Sequence, residues 1–124
     1  MTIKTALVTG ASKGIGAAVA LLLAKSNFKV VINYRSSVKE AKMVLAKCNQ
    51  FSECILIKVD VTKDSDCKRM VKTTEKKIGP INVLINNAGK TKFVDFNNLD
   101  GLSKNDFLDI YTCNVVSMFQ MVRA

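Results

Sequence analysis

Eight residues near the start of the chain, Thr9-Gly10-Ala11-Ser12-Lys13-Gly14-Ile15-Gly16, have the types and spacing to grip a phosphate. Gly10 can take a tight turn, and Gly14 leaves no side chain in the path of a ligand. Gly16 lets a following helix lie close to a preceding strand. The run lies between a strand-like stretch, Thr5-Ala6-Leu7-Val8, and a helix-like one, Ala17 to Leu23. The first turn of that helix would offer unpaired N–H groups and the positive end of its dipole. A bare glycine triplet also occurs in ordinary strand-to-helix turns. The flanking strand, the helix and the place at the chain start favour the phosphate reading.

A second group of residues bears on which phosphates are held. The second apolar run ends in Asn33-Tyr34-Arg35. A carboxylate there would accept hydrogen bonds from ribose hydroxyls, and none is present. Arg35 can instead form a bidentate pair with a ribose 2′-phosphate, and Lys13 can reach the same side. The plainer alternative is two surface cations.

The elements that must position these residues alternate along the chain. Strands are expected near Thr5–Thr9, Lys29–Asn33, Cys54–Val59 and Asn82–Asn86. Helices are expected from Gly14 to about Asn27, from about Ser37 to Lys47, and from about Asp64 to Lys77, where Gly79-Pro80 stops the third. A mixed loop covers Gly89 to Gly101. A last helix starts at Ser103, whose hydroxyl can cap it, with Asp106 in its first turn, and runs to the chain end. Short apolar strands alternating with helices imply βαβ units and a parallel sheet. Right-handed crossovers give a doubly wound α/β fold of strand order 3-2-1-4. The carboxyl ends of strands 1 and 4 then meet at the topological switch point, where such sheets bind ligands.

Composition sets the outer limits. At 124 residues, 48% hydrophobic and 23% charged, one domain with a sizeable core is expected, spanning residues 1–124. The longest apolar run, Ala17 to Ala24, falls far short of the roughly 20 residues that cross a bilayer. Met1-Thr2-Ile3-Lys4 leads straight into the first strand and leaves no space for a signal peptide, so a soluble cytoplasmic protein with no membrane partner is expected. Cys48, Cys54, Cys67 and Cys113 have no C-x-x-C spacing and there is no histidine. That argues against a metal site and rules out Ser-His-Asp and Cys-His catalysis within these residues. The net charge of +9 is dispersed, with Lys68-Arg69 and Lys76-Lys77 the only adjacent basic pairs. Without interleaved aromatics it reads as solvated helix faces, with no nucleic-acid partner.

The glycine spacing is G-x-x-x-G-x-G rather than G-x-G-x-x-G. In its T-G-x-x-x-G-I-G form it resembles the short-chain dehydrogenase/reductase family. Asn86-Asn87-Ala88-Gly89, at the end of the fourth strand, resembles the family's second signature. The resemblance covers the whole chain and implies a Rossmann-type domain that binds a nicotinamide dinucleotide. It implies that Gly10 to Gly16 hold the pyrophosphate, that Lys13 and Arg35 select NADP(H), and that Asp60-Val61 lie over the adenine. It also implies that Asn87, Ala88 and Gly89 approach the ribose and nicotinamide. Asn86 and Asn87 can also tie strand ends together, and for Asn86 that structural role is the one expected. The residue after Gly89, often apolar in the family, is Lys90. Asn114 matches the first member of a catalytic tetrad Asn-Ser-Tyr-Lys and would hold a water in a proton relay.

The chain departs from the family again, and more deeply, at its catalytic residues. Tyr34 and Tyr111 are followed four residues on by Val38 and Val115, so no Y-x-x-x-K is present. The chain stops before the family's fifth strand, its serine and its tyrosine. The expectation is the cofactor-binding half of an NADP-dependent carbonyl reductase, similar to the 3-oxoacyl-(acyl carrier protein) reductases, as the Ile32–Ser36 run also suggests. The substrate would be a small carbonyl compound or acyl thioester, and the full-length form a homo-oligomer. The alternatives are a noncatalytic dinucleotide-binding module and, more remotely, a basic nucleic-acid-binding protein.

Overall fold

A computed structural model describes residues 2–124. Four parallel strands, β1 (Thr5–Val8), β2 (Lys29–Tyr34), β3 (Cys54–Lys58) and β4 (Ile81–Ile85), pair in the order β3-β2-β1-β4. Between them run α1 (Gly14–Lys25), α2 (Val38–Cys48) and α3 (Asp64–Lys77). After a loop and one 3₁₀ turn, Leu99–Gly101, the chain forms α4 (Lys104–Tyr111), a π-helical turn, Thr112–Val116, and α5 (Ser117–Arg123).

The two central strands are buried on both sides, as their mostly apolar sequences Thr5–Val8 and Lys29–Tyr34 require. Period-two alternation divides their side chains between two cores. Leu7 and Val31 point into a cluster with Val59, Val61, Cys67, Met70 and Met121. Val8, Val30 and Ile32 point the other way, onto Ala20 and Ala24 of α1 and Cys48 at the end of α2.

Most boundaries fall within one residue of the sequence expectation, and two larger differences have a local reason. α1 ends at Lys25 rather than Asn27, because Asn27 takes φ +67°. Phe28 N–H then bonds Leu23 O at 3.0 Å and Asn27 N–H bonds Ala24 O at 3.1 Å, a left-handed closure that satisfies the last carbonyls. The final helix is not one continuous α-helix. At Thr112–Val116 it widens to π register, with the Ser117 N–H reaching Thr112 O. Ser103 caps α4 as expected and, with Asp106, forms a reciprocal capping box.

Candidate nucleotide-binding site

The carboxyl ends of β1 and β4 meet around one buried hydroxyl. Thr9 Oγ1 accepts the N–H groups of Asn87 (3.0 Å) and Ala88 (2.9 Å) and donates to Ile85 O. Asn87 Nδ2 donates to the carbonyls of Thr9 (3.1 Å) and Gly10 (3.0 Å). Of the two asparagines able to tie the strand ends, Asn87 makes these bonds. The Asn87 amide nitrogen is committed to it, and Oδ1 and the backbone are what Asn87 can offer a ligand.

Asn33, inside β2, does the same for the glycine turn. It is 2% exposed, and its Oδ1 accepts Gly10 N–H at 3.1 Å. Its Nδ2 donates to Ile57 O and Val59 O at the end of β3. The sequence assigns neither Thr9 nor Asn33 this bracing role. The available signal was a polar residue at the carboxyl end of an apolar strand, where a buried amide or hydroxyl must find partners.

The glycines of the turn have distinct physical roles. Gly10 (φ +59°) lies so near β4 that a Cβ there would sit 2.8 Å from Ala88 Cα. A Cβ at Gly16 would collide with Asn87 Nδ2 and the Gly10 carbonyl, so Gly16 seats α1 on the sheet. Gly14 has φ +60° and nothing within 4 Å of its would-be Cβ. It is an open approach that no other residue would hold without strain. Ala11 is fully buried, its N–H bonded to Asn33 O, so it packs rather than lines the surface. Ile15 lies on the outside, 77% exposed.

α1 begins without a side-chain cap at Lys13 and without an acid in its first turn. The first turns of α2, α3 and α4 all carry one. The N–H groups of Gly14, Ile15 and Gly16 therefore lie ahead of the first helical bond with only Lys13 beside them, an electropositive cradle.

In front of this cradle is a cleft of about 280 Å³. Gly10, Ser12 and Lys13 line one side, Arg35, Ser36 and Ser37 the next. Asp60, Val61 and the Asn87–Lys90 backbone close it, with Cys113 at its inner end. Arg35 Nε is 3.7 Å from Asp60 Oδ2. Burial would raise the Asp60 carboxyl, but hydrogen bonds from Thr62 Oγ1 (2.7 Å) and N–H (3.0 Å) and the charges of Arg35 and Lys63 hold it below the ordinary range. The Val61 side chain is buried and its carbonyl is taken by Gln120 Nε2 at 2.9 Å and Cys67 Sγ, so its N–H is what it can give a ligand. Burial pushes the Cys113 thiol up, which keeps it protonated.

Asn114 does not line the cleft. It sits in the π turn, where its Oδ1 accepts Lys90 N–H at 2.8 Å and its Nδ2 donates to Lys90 O at 3.0 Å. Both faces of the amide hold the backbone beyond Gly89. Lys90 itself lines the cleft. Among the described residues there is no cluster of metal-ligating side chains and no helix long and apolar enough to cross a membrane.

The uncapped glycine turn lies at the switch point of a parallel sheet, the place where open α/β sheets bind ligands. Residues 4–124 match the family described as short chain dehydrogenase, and the chain belongs to that family. It is 35% identical over 121 residues to the 3-oxoacyl-(acyl-carrier-protein) reductase FabG of Staphylococcus epidermidis, covering 97% of this chain and 48% of that one. Its structure is similar to that of a Burkholderia xenovorans protein assigned to the short-chain dehydrogenases/reductases, with TM-score 0.95 and 31% identity, over 99% of this chain and 51% of the other. It is also similar to an alcohol dehydrogenase of the archaeon Thermococcus sibiricus complexed with 5-hydroxy-NADP, with TM-score 0.87 and 27% identity, over 98% and 51%. The chain spans about half the length of the curated relatives it matches.

Proposed function

We propose that residues 1–124 are the NADP(H)-binding part of a cytoplasmic oxidoreductase that reduces a carbonyl, with 3-oxoacyl thioesters the favoured substrate class. The region forms a partial Rossmann domain of an enzyme that is a homo-oligomer at full length. The observation that carries the reading is the cleft itself. At the end of β2, Arg35 stands where a ribose-binding carboxylate would favour NAD, and Lys13, Ser36 and Ser37 line the same cleft. The residues present fit the cofactor. The open side of Gly14 admits a pyrophosphate and the bare start of α1 donates to it. Arg35 and Lys13 take the 2′-phosphate, Asp60 Oδ2 and Val61 N–H take the adenine edge, and the Asn87–Gly89 backbone takes the ribose.

When bound, NADPH supplies the hydride. The chain's own residues orient it and keep the floor of the cleft dry. Asn114 has its side chain engaged with Lys90, so here it positions the β4 loop. The similarity to the Staphylococcus and Synechocystis 3-oxoacyl-(acyl-carrier-protein) reductases supports the substrate class.

Fluorescence titration with NADPH and NADH tests the reading. NADPH is expected to bind tighter, and Arg35→Asp to weaken it by about 2–3 kcal/mol through loss of a charge-assisted pair and gain of a repulsion. Equal affinity for the two cofactors overturns the assignment. With neither tyrosine followed by a lysine, residues 1–124 alone are expected to reduce no ketone above background, and measurable turnover with NADPH would overturn that part.

A further inference from the structure

Arg35 and Asp60 are assigned above to different parts of one ligand, yet in the structure they face each other. Asp60 is the fixed member. Its side chain is 18% exposed, its Oδ1 accepts two hydrogen bonds from Thr62, and its own N–H bonds Asp66 Oδ2 at 3.1 Å. Only Oδ2 remains to accept a bond from a ligand. Arg35 is the movable member, with a side chain 67% exposed, and its Nε is 3.7 Å from that same Oδ2. The distance makes an ion pair, not a hydrogen bond.

We propose that the pair is a latch: Arg35 covers the one free oxygen of Asp60 until a ribose 2′-phosphate draws the guanidinium away. A phosphate dianion offers the guanidinium a bidentate, charge-assisted partner, which a single carboxylate oxygen at this distance does not. Once Arg35 turns to it, Oδ2 is free for the adenine amino group. A ligand lacking the 2′-phosphate must compete with Arg35 for Oδ2. Selectivity then has a repelling half as well as an attracting one. Arg35 discriminates against the unphosphorylated nucleoside by acting through Asp60, so its loss should improve the binding of that nucleoside.

The inference rests on the nucleotide reading above, and the test separates the two. Adenosine and adenosine 2′-monophosphate are titrated by NMR into the wild-type chain, Arg35→Ala, Asp60→Asn and the double variant. Adenosine carries no charge, so general electrostatic attraction does not mask the effect. Thermal melts verify that each variant is folded. Wild type is expected to prefer the 2′-phosphate, and Arg35→Ala to lose that preference. Arg35→Ala is also expected to bind adenosine about two- to fivefold tighter than wild type, the range of a solvent-exposed ion pair. In the Asp60→Asn background the gain should vanish. Unchanged or weaker adenosine binding in Arg35→Ala overturns the latch while leaving the nucleotide reading intact. So does a gain that persists without the carboxylate. A wild-type chain whose Val61 amide signal responds to neither ligand overturns both.

Discussion

The starts of α1 and α4 solve the same problem in opposite ways. Each presents N–H groups with no partner inside the helix. At α4, Ser103 Oγ accepts the Asp106 N–H at 3.2 Å, and Asp106 Oδ2 accepts the Ser103 N–H at 2.9 Å and the Lys92 ammonium at 3.0 Å. At α1 the capping position is Lys13, which makes no such bond, and the next residues are Gly14, Ile15 and Gly16. Lys13 nonetheless has the extended backbone of a capping residue, φ −160° and ψ 174°. The conformation of a cap is present and its acceptor is missing. One helix start is closed by its own chain, and the other is left for an anion from outside.

The comparison breaks most completely at Gly14. Gly14→Val forces a branched side chain to φ +60° and fills the open space beside the α1 N–H groups. NADPH affinity should fall by at least about a hundredfold, and strain at such a position costs of the order of 1–3 kcal/mol in stability. Circular dichroism checks that the variant is folded before titration. Normal binding by a folded variant would place the pyrophosphate elsewhere.

Lys13→Asp sharpens the comparison by making α1 resemble α4. The carboxylate supplies the missing acceptor and should raise stability by about 0.5–1 kcal/mol. The same charge repels the cofactor phosphates and should weaken NADPH binding by about 2 kcal/mol. Paired thermal melts and titrations read both, and a variant that gains stability without losing affinity would sever the link between the bare start and the ligand. Ser103→Ala is the converse. It should cost about 1 kcal/mol of stability, as losing a cap does, and leave NADPH affinity unchanged.

The smallest effect is in pH. Asp106 is held below the ordinary carboxylate range, first by the Ser103 N–H, with Lys92 and the Ser103 hydroxyl contributing. Its folded pKa is depressed, so its contribution is complete above the unfolded value of about 4 and is lost as pH falls through the lower folded value. Hydrogen exchange at the first turn of α4 should quicken across that window relative to the intrinsic rate, while the first turn of α1, with no carboxylate, should not follow.

The sequence made the alternating elements and the strand order legible because each strand is a short apolar run bounded by turn residues and each crossover carries one helix. The α1 turn was legible for the same reason it is open. Glycine and lysine at a helix start are conspicuous where Ser or Asp would be ordinary. Interactions between residues far apart in sequence were harder to read. Thr9 and Asn33 look like strand residues, and only folding brings Thr9 to Asn87 and Asn33 to Gly10. The adjacent Asn86 and Asn87 have the same side chain, so composition could not show which one ties β1 to β4. The π turn has no glycine or proline to mark it. Ala11 lies within the glycine motif and yet packs inward, because motif spacing records chain position and not which way a side chain faces.

The π turn also sets a phase. One residue on an α-helix is worth about 100° of rotation, and the widened turn accommodates one residue more than an α turn would. Before it, α4 buries none of its side chains. After it, α5 turns Ser117, Gln120 and Met121 inward, and Gln120 reaches the Val61 carbonyl beneath the cleft. Deleting one residue between Thr112 and Val116 would restore an ordinary helix and rotate α5 against the sheet. Met121 would swing out of its core and Gln120 would lose Val61, so the floor of the cleft is held in place by the angular setting of a helix that never touches the ligand.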